Sequence, residues 1–563
     1  MNFNIIQKIY FDYRAKKYLI VLLLFSLVFQ VAFLFASPIG FECDAAMFYN
    51  YAKAIVFQGR SASDYRPPAF PLFLLITGQI WPGTLIVTLF FQLAMGVLMP
   101  AIVFEILKRF GNSFAVIGSI LTIFSTIPYN YSTLILSDQL FGFTFLLAIY
   151  FFTGFFFEKR TRDLRWFLVV SLVCTFTRWE GIFLLLNGLL YISYYYCKSK
   201  RFKMVFLLNF SIVILLLFYT VVRAMYFHDI KMVGSLQNGS GLQLFYRAYT
   251  GDYPAFQKNK VRNDQSLSSA KNGNLDQGNS VQFVSASNGP STQKLKEIVE
   301  RFAGENPDSY RKLKPFILTL PISNSYDDSY ETLFGRFDGQ PKQMAEHIFA
   351  TPSSNLNSQY LFYINRAVKA SLGTVDGDKL LVSSAIETFI ANPIIVFSMF
   401  NDSLSILGMD LFNFLSGINK SSFSESMNLL FPYWGRYHYD WLDFDLAKCA
   451  SNSLSPHMID ELKLSYKVAD RKFNNVLVGV ASFNRNLVRV ALGISLILFG
   501  WTLIFSQNRL YLCVLVGTFF PMILIYGVYI GGAYTRYEVA TIPLMIIITT
   551  QILIGLKRRL SSS

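Results

Sequence analysis

Apolar runs near the length needed to cross a bilayer alternate with short basic clusters over residues 1–226 and again over residues 485–563. Runs of this kind predict membrane-spanning helices. The first covers residues 18–36, and others follow at about 84–107, 114–129 and 140–157. Two shorter runs flank Thr177-Arg178-Trp179-Glu180, and further spans are expected at about 204–223, 486–505, 510–530 and 539–556. The expected fold is an all-α polytopic membrane protein with about ten transmembrane helices. Lys8, Arg14, Lys16 and Lys17 precede the first span, and basic clusters recur at Lys108-Arg109, over 158–165 and 198–203, and at Lys557-Arg558-Arg559. By the positive-inside rule these clusters are cytoplasmic, so residues 41–74 face outward, toward a periplasm, a lumen or the cell exterior. The first run has no small-residue cleavage site and reads as a retained signal anchor.

Residues 227–484 are different in character. This stretch of roughly 250 residues is polar and long enough to be an external domain of its own. Residues 251–293 are rich in Asn, Ser, Gly, Gln and Lys, and a segment so poor in large apolar groups is expected to be a flexible loop, either a plain linker or a lid over the site. Helical periodicity returns at 293–302 and 379–400, and the helix expected over 379–418, carrying Asn392-Pro393, suits a membrane-lying or re-entrant position. The chain thus divides into an N-terminal transmembrane module (1–226), an external region (227–484) and C-terminal transmembrane helices (485–563). No repeat of roughly 20 to 50 residues and no pair of matching halves is evident.

Composition narrows the class further. Of 563 residues, 53% are hydrophobic and only 15% charged, which excludes an ordinary soluble protein. The formal charge of +15 is spread over clusters beside apolar runs, as membrane topology requires, so nucleic acid is not an expected partner. The five cysteines, Cys43, Cys174, Cys197, Cys449 and Cys513, have no CxxC spacing and indicate neither zinc nor a disulfide framework. Only Cys43 and Cys449 are placed to meet outside the membrane.

Candidate chemistry gathers at the outer ends of spans. Arg66, Arg178 and Arg536 project there, each beside an aromatic residue or proline, and three arginines at one face could hold an anionic lipid headgroup or simply anchor their helices. Carboxylates at the same level are Glu42, Asp44, Asp138 and Glu180, and Glu180, two residues from Arg178, is expected to pair with it. Asp44 is the least easily explained as a structural charge. Mid-span positions are nearly free of charge, which disfavours a transporter with a charged route through the membrane.

The order of these motifs resembles the GT-C superfamily of integral-membrane glycosyltransferases, in particular the protein O-mannosyltransferase and lipid A aminoarabinose transferase branch. The resemblance rests on Asp44 after the first span, Arg66-Pro67-Pro68, Ser137-Asp138-Gln139-Leu140 before an apolar run, Thr177-Arg178-Trp179-Glu180-Gly181, Asn392-Pro393, and Arg536-Tyr537 ahead of Pro543. It implies a GT-C-like fold with external juxtamembrane helices and a large external insertion. It also implies transfer of a monosaccharide, with inversion, from a polyprenyl-phosphate donor to a hydroxyl of a glycan, lipid or protein acceptor at the outer face of a membrane, such as the bacterial inner membrane.

In this reading Asp44 is the catalytic base, Arg66, Arg178 and Arg536 bind the donor phosphate, and Glu42, Asp138, Tyr65 and Tyr537 contact acceptor, sugar or metal. A carboxylate can deprotonate an acceptor hydroxyl, and a phosphate leaving group needs cations rather than a proton donor. Ala45 stands where many members carry Glu, which weakens the case for paired carboxylates there, with Glu42 or Asp138 as substitutes. A divalent cation is compatible with these residues but not indicated by them. The Trp-Trp-Asp motif of the oligosaccharyltransferase branch is absent from the sequence, so transfer of a whole oligosaccharide to Asn is disfavoured. The competing classes are a flippase or transporter of a lipid-linked sugar and a surface-polysaccharide polymerase or ligase.

Overall fold

A computed structural model describes residues 3–36, 39–40, 43–59, 67–78, 83–125, 131–227, 289–305, 358–391, 455–468, 508–525 and 538–560, with a few single positions between them. Among the described residues there is no strand, only one isolated bridge, so the all-α expectation holds. In chain order the helices are α1 (Phe3–Ala36), α2 (Cys43–Gln58), α3 (Ala69–Ile76), α4 (Ile86–Leu107), α5 (Asn112–Phe124), α6 (Ser137–Glu158) and α7 (Thr161–Thr177). They continue as α8 (Ile182–Lys198), α9 (Phe202–Phe227), α10 (Pro290–Glu305), α11 (Ser358–Ala391), α12 (Pro456–Val468), α13 (Arg509–Ile525) and α14 (Glu538–Leu560).

Among the described residues, α1, α4, α6 and α14 contain stretches long and apolar enough to cross a membrane. Parts of α5, α9 and α13 are apolar but shorter. The helix expected over 114–129 stops at Phe124, and the span expected at 486–505 lies outside the described residues.

α6 and α14 form the centre of the bundle. In their apolar stretches 67% and 83% of residues are buried, against 22% in α1, which places α1 on the rim. Ile20, Leu24 and Val28 of α1 are exposed, as lipid-facing residues can be, because hydrocarbon solvates them as well as a core does. Glycines let the central helices close on each other. A Cβ on Gly142 of α6 would lie 2.3 Å from Val539 Cγ1 and 3.1 Å from the Val539 carbonyl oxygen of α14.

Several polar side chains inside the bundle tie helices together through hydrogen bonds, which gain strength where water is excluded. Ser26 Oγ lies 2.8 Å from Tyr129 Oη, and Thr153 Oγ1 lies 2.8 Å from Tyr511 Oη. Gln92 Nε2 donates to the carbonyls of Leu134 and Leu136 at 3.0 and 3.3 Å, tying α4 to the chain that enters α6. At the opposite end of α6, Lys159 caps the helix with φ 57°, donates to Tyr191 Oη at 2.8 Å and lies over the Tyr195 ring. Burial there lowers the Lys159 pKa from its ordinary value.

Between residues 227 and 484, α10 packs on α11. Glu387 of α11 caps α10, accepting the Ser291 and Thr292 N–H groups at 2.9 and 3.0 Å and the Thr292 hydroxyl at 3.0 Å. The helix expected from residue 379 therefore starts earlier, at Ser358, and is bent at Gly373, whose φ of 79° and ψ of 170° are non-helical. Most of residues 251–293, residue Asn392 and almost all of the chain beyond it to 418 lie outside the described residues.

Candidate active site

The start of α6 meets the Thr177–Gly181 turn and lies beside the chain that leads from α1 to α2. Ser137 and Asp138 open this helix, Asp138 stands in its first turn, and both are buried. A carboxylate there is favoured by the partial positive charge of the helix N-terminus.

Arg178 reaches this carboxylate from the turn after α7. Its Nη1 pairs with Asp138 Oδ1, and its Nη2 donates to Glu180 Oε1 at 3.2 Å. The guanidinium carbon lies 5.6 Å from the centre of the Phe141 ring, one turn along α6. Arg178, Asp138 and Glu180 side chains are 12%, 3% and 15% exposed, so this is a largely desolvated cluster of one cation and two anions. The turn is shaped by Gly181, where a Cβ would lie 2.7 Å from the Thr175 nitrogen. The Glu180–Arg178 pair is the one expected from their spacing, and Asp138 joins it across helices, the plain ion-pair reading of a carboxylate at this level.

Two backbone contacts bring in the other stretches. Gly40 pairs with Leu134 as an isolated parallel bridge, its N–H donating to the Thr133 carbonyl at 3.0 Å and its own carbonyl accepting the Ile135 N–H at 2.9 Å. The chain leaving α1 is thereby fixed beside the chain entering α6, four residues before Asp44 on one side and four before Asp138 on the other. The close approach of Gly142 to Val539 sets the first turn of α14 beside α6, and Val539 follows Arg536 by three residues in the sequence.

α2 carries Asp44 at its second residue. Its buried face, Ala45, Phe48, Tyr49 and Ala52, joins Phe70 and Leu74 of α3 and Ile135, Leu136 and Leu140 at the start of α6 in one apolar cluster. Phe48 and Phe70 meet edge to face at 5.0 Å, so α3, which begins just after Arg66-Pro67-Pro68, is fastened to α2. Burial raises the Tyr49 pKa, and the Lys53 ammonium lies 4.5 Å above the Tyr49 ring. Glu42, Tyr65, Arg66, Arg536 and Tyr537, and the side chain of Asp44, lie outside the described residues. Among the described residues no group of three or more metal-ligating side chains is brought together.

The site also includes residues that sequence reasoning missed. Glu461 of α12 accepts the Leu85 N–H at 2.9 Å and the Thr84 hydroxyl at 2.8 Å, capping α4 from a distant part of the chain. Met458 of α12 is fully buried in the α2–α3 cluster. The Ser455-Pro456 pair is a readable helix-start signal, with Ser ahead of Pro at the first helical position, but nothing in it names a docking partner.

Residues 65–223 match the model of the dolichyl-phosphate-mannose-protein mannosyltransferase family, a GT-C superfamily membrane glycosyltransferase domain. The matched segment includes Arg66, Asp138 and Arg178, while Asp44 lies before it and Arg536 after it. The comparisons with curated proteins and with solved structures gave no match. The match over residues 65–223 and the apolar helices support a membrane glycosyltransferase of the mannosyltransferase type in general.

Proposed function

We propose that this glycosyltransferase moves a monosaccharide from a polyprenyl-phosphate donor to an acceptor hydroxyl on a cell-surface glycan, lipid or protein, at the outer face of the membrane and with inversion. The observation that carries the reading is the Gly40–Leu134 bridge, which sets the start of α2 beside the start of α6 and its Asp138–Arg178–Glu180 cluster. In the proposed step Asp44 takes the proton of the acceptor hydroxyl, the oxygen bonds to the anomeric carbon, and polyprenyl phosphate leaves with the electron pair of the broken bond.

The leaving phosphate gains negative charge and needs fixed cations. Arg178 already faces two carboxylates, so the proposal gives Arg66 and Arg536 the larger share of the phosphate and lets Arg178 complete the site from the α6 side. Glu42, Asp138, Tyr65 and Tyr537 are assigned to acceptor, sugar or a metal ion. The nearly uncharged span interiors favour a site at the surface over a transport route.

The test is to incubate the purified protein with a panel of synthetic polyprenyl-phosphate sugars and follow released polyprenyl phosphate. Acceptor-dependent release from at least one donor, giving the inverted glycoside, is expected. No release with any donor, in protein that is folded and lipid-supplied, would contradict the reading.

A further inference from the structure

α2 is a 16-residue helix outside the long apolar spans, and Asp44 sits next to Ala45, the first residue of the face that packs against α3 and the chain entering α6. What covers the face therefore helps decide where the Asp44 backbone stands. α3 covers part of it. α12, which follows the external region, contributes Met458, whose thioether sulfur accepts the Tyr49 hydroxyl at 3.8 Å.

One turn along α12 from Met458, Glu461 fixes the helix to the rigid bundle. Its two oxygens take the Thr84 hydroxyl and the Leu85 N–H at the N-terminus of α4, where the first N–H groups of a helix lack intrahelical acceptors. A carboxylate at that end also gains from the helix dipole. His457 lies 3.5 Å from Glu461 through Nδ1, on the solvent side. Ser455 closes the start of α12, with its hydroxyl accepting the Met458 N–H at 3.3 Å. α12 is thus anchored to α4 by one side chain and seated on α2 by its neighbour.

We propose that α12 is a clasp that sets the position of α2, with Met458 and Glu461 as positioning residues for Asp44. The external region then does more than receive an acceptor, because its last described helix holds the catalytic one in register with the start of α6. The role rests on the assignment of Asp44 as base. Catalysis is sensitive to such placement, since a displacement of about 1 Å can cost about 100-fold in rate.

The test uses the full-length protein in lipid nanodiscs and compares Met458→Ala, Glu461→Ala and Glu461→Gln. Amide hydrogen exchange over 43–58 is read against exchange in α6. Release of polyprenyl phosphate from synthetic polyprenyl-phosphate mannose, with a membrane extract as acceptor source, gives kcat and KM. The two Ala variants are expected to speed exchange in α2 by about tenfold, leave α6 unchanged, and lower kcat by about tenfold with the donor KM unchanged. Glu461→Gln keeps one accepting oxygen and is expected to recover part of both effects. Unchanged α2 exchange in both Ala variants would overturn the clasp, and so would faster exchange with kcat intact. Loss of the whole fold in the Ala variants, with Glu461→Gln like wild type in α2 exchange and kcat but lower in melting temperature, would also overturn it by marking a purely structural helix. Full turnover in Asp44→Asn would instead remove the base assignment while the exchange result for α12 stood.

Discussion

Arg178 and Asp138 meet across 40 residues of chain, joining the turn after α7 to the first turn of α6, with Glu180 on the other arm of the same guanidinium. All three side chains are mostly removed from solvent, so the cation cannot be withdrawn cheaply. Arg178→Ala leaves two buried carboxylates facing each other and is expected to cost about 3–5 kcal/mol, the range for breaking a buried pair. Arg178→Lys should restore part of this, because an ammonium can reach one carboxylate but not span both. Thermal unfolding in detergent checks the order wild type, Lys, Ala.

The contact between Gly142 and Val539 yields a second expectation. A Cβ at Gly142 meets both the Val539 side chain and its carbonyl oxygen, so α14 must shift away from α6. Gly142→Ala is expected to destabilise by about 1–3 kcal/mol, as overpacking does. It should also weaken binding of polyprenyl monophosphate, since Arg536 lies three residues before Val539. Melting temperature and equilibrium lipid binding measure the two effects separately.

The apolar runs and basic clusters were sufficient to read the α-helical membrane fold, because span length and flanking charge are local properties of the sequence. The Arg178–Glu180 pair was legible for the same reason. Contacts between distant stretches were not. The Gly40–Leu134 bridge and the Thr84–Glu461 cap, 377 residues apart, are made by packing that leaves no periodic signal, and which arginine Asp138 would meet was not readable either. The run at 114–129 overreached at its end, where the helix stops at Phe124 and the polar Ser125-Thr126 pair and Pro128 follow.

Glu387 gives the α10–α11 pair a pH dependence. Burial alone raises its pKa, but the hydrogen bonds from Ser291 and Thr292 outweigh this and hold it below the ordinary value of 4.5. A lowered pKa in the folded state means stability that is full above the unfolded value and lost as pH falls through the folded one. The α10 cap should therefore weaken below pH 4.5, and Glu387→Gln should remove that dependence. Protection factors of the α10 amides, corrected for intrinsic exchange, read this out for both proteins across the acidic range.

Arg66 is expected to separate charge from geometry. Arg66→Lys keeps a point charge for the donor phosphate and should retain part of the turnover, whereas Arg66→Ala should retain almost none because the planar, two-pronged contact is gone. Binding of polyprenyl monophosphate should fall in the same order. Unchanged affinity in Arg66→Ala would move the phosphate to Arg178 and Arg536.

Asp44, the second residue of α2, is the proposed base of a sugar transfer from polyprenyl phosphate. Its most direct test is Asp44→Asn, measured for both donor affinity and turnover in the same lipid nanodiscs. An amide keeps the size of the side chain but cannot take a proton from the acceptor. The expected result is donor binding close to wild type with turnover lowered by at least about 100-fold, the lower end of what general-base catalysis contributes. A folded Asp44→Asn protein that releases polyprenyl phosphate at the wild-type rate would contradict the account.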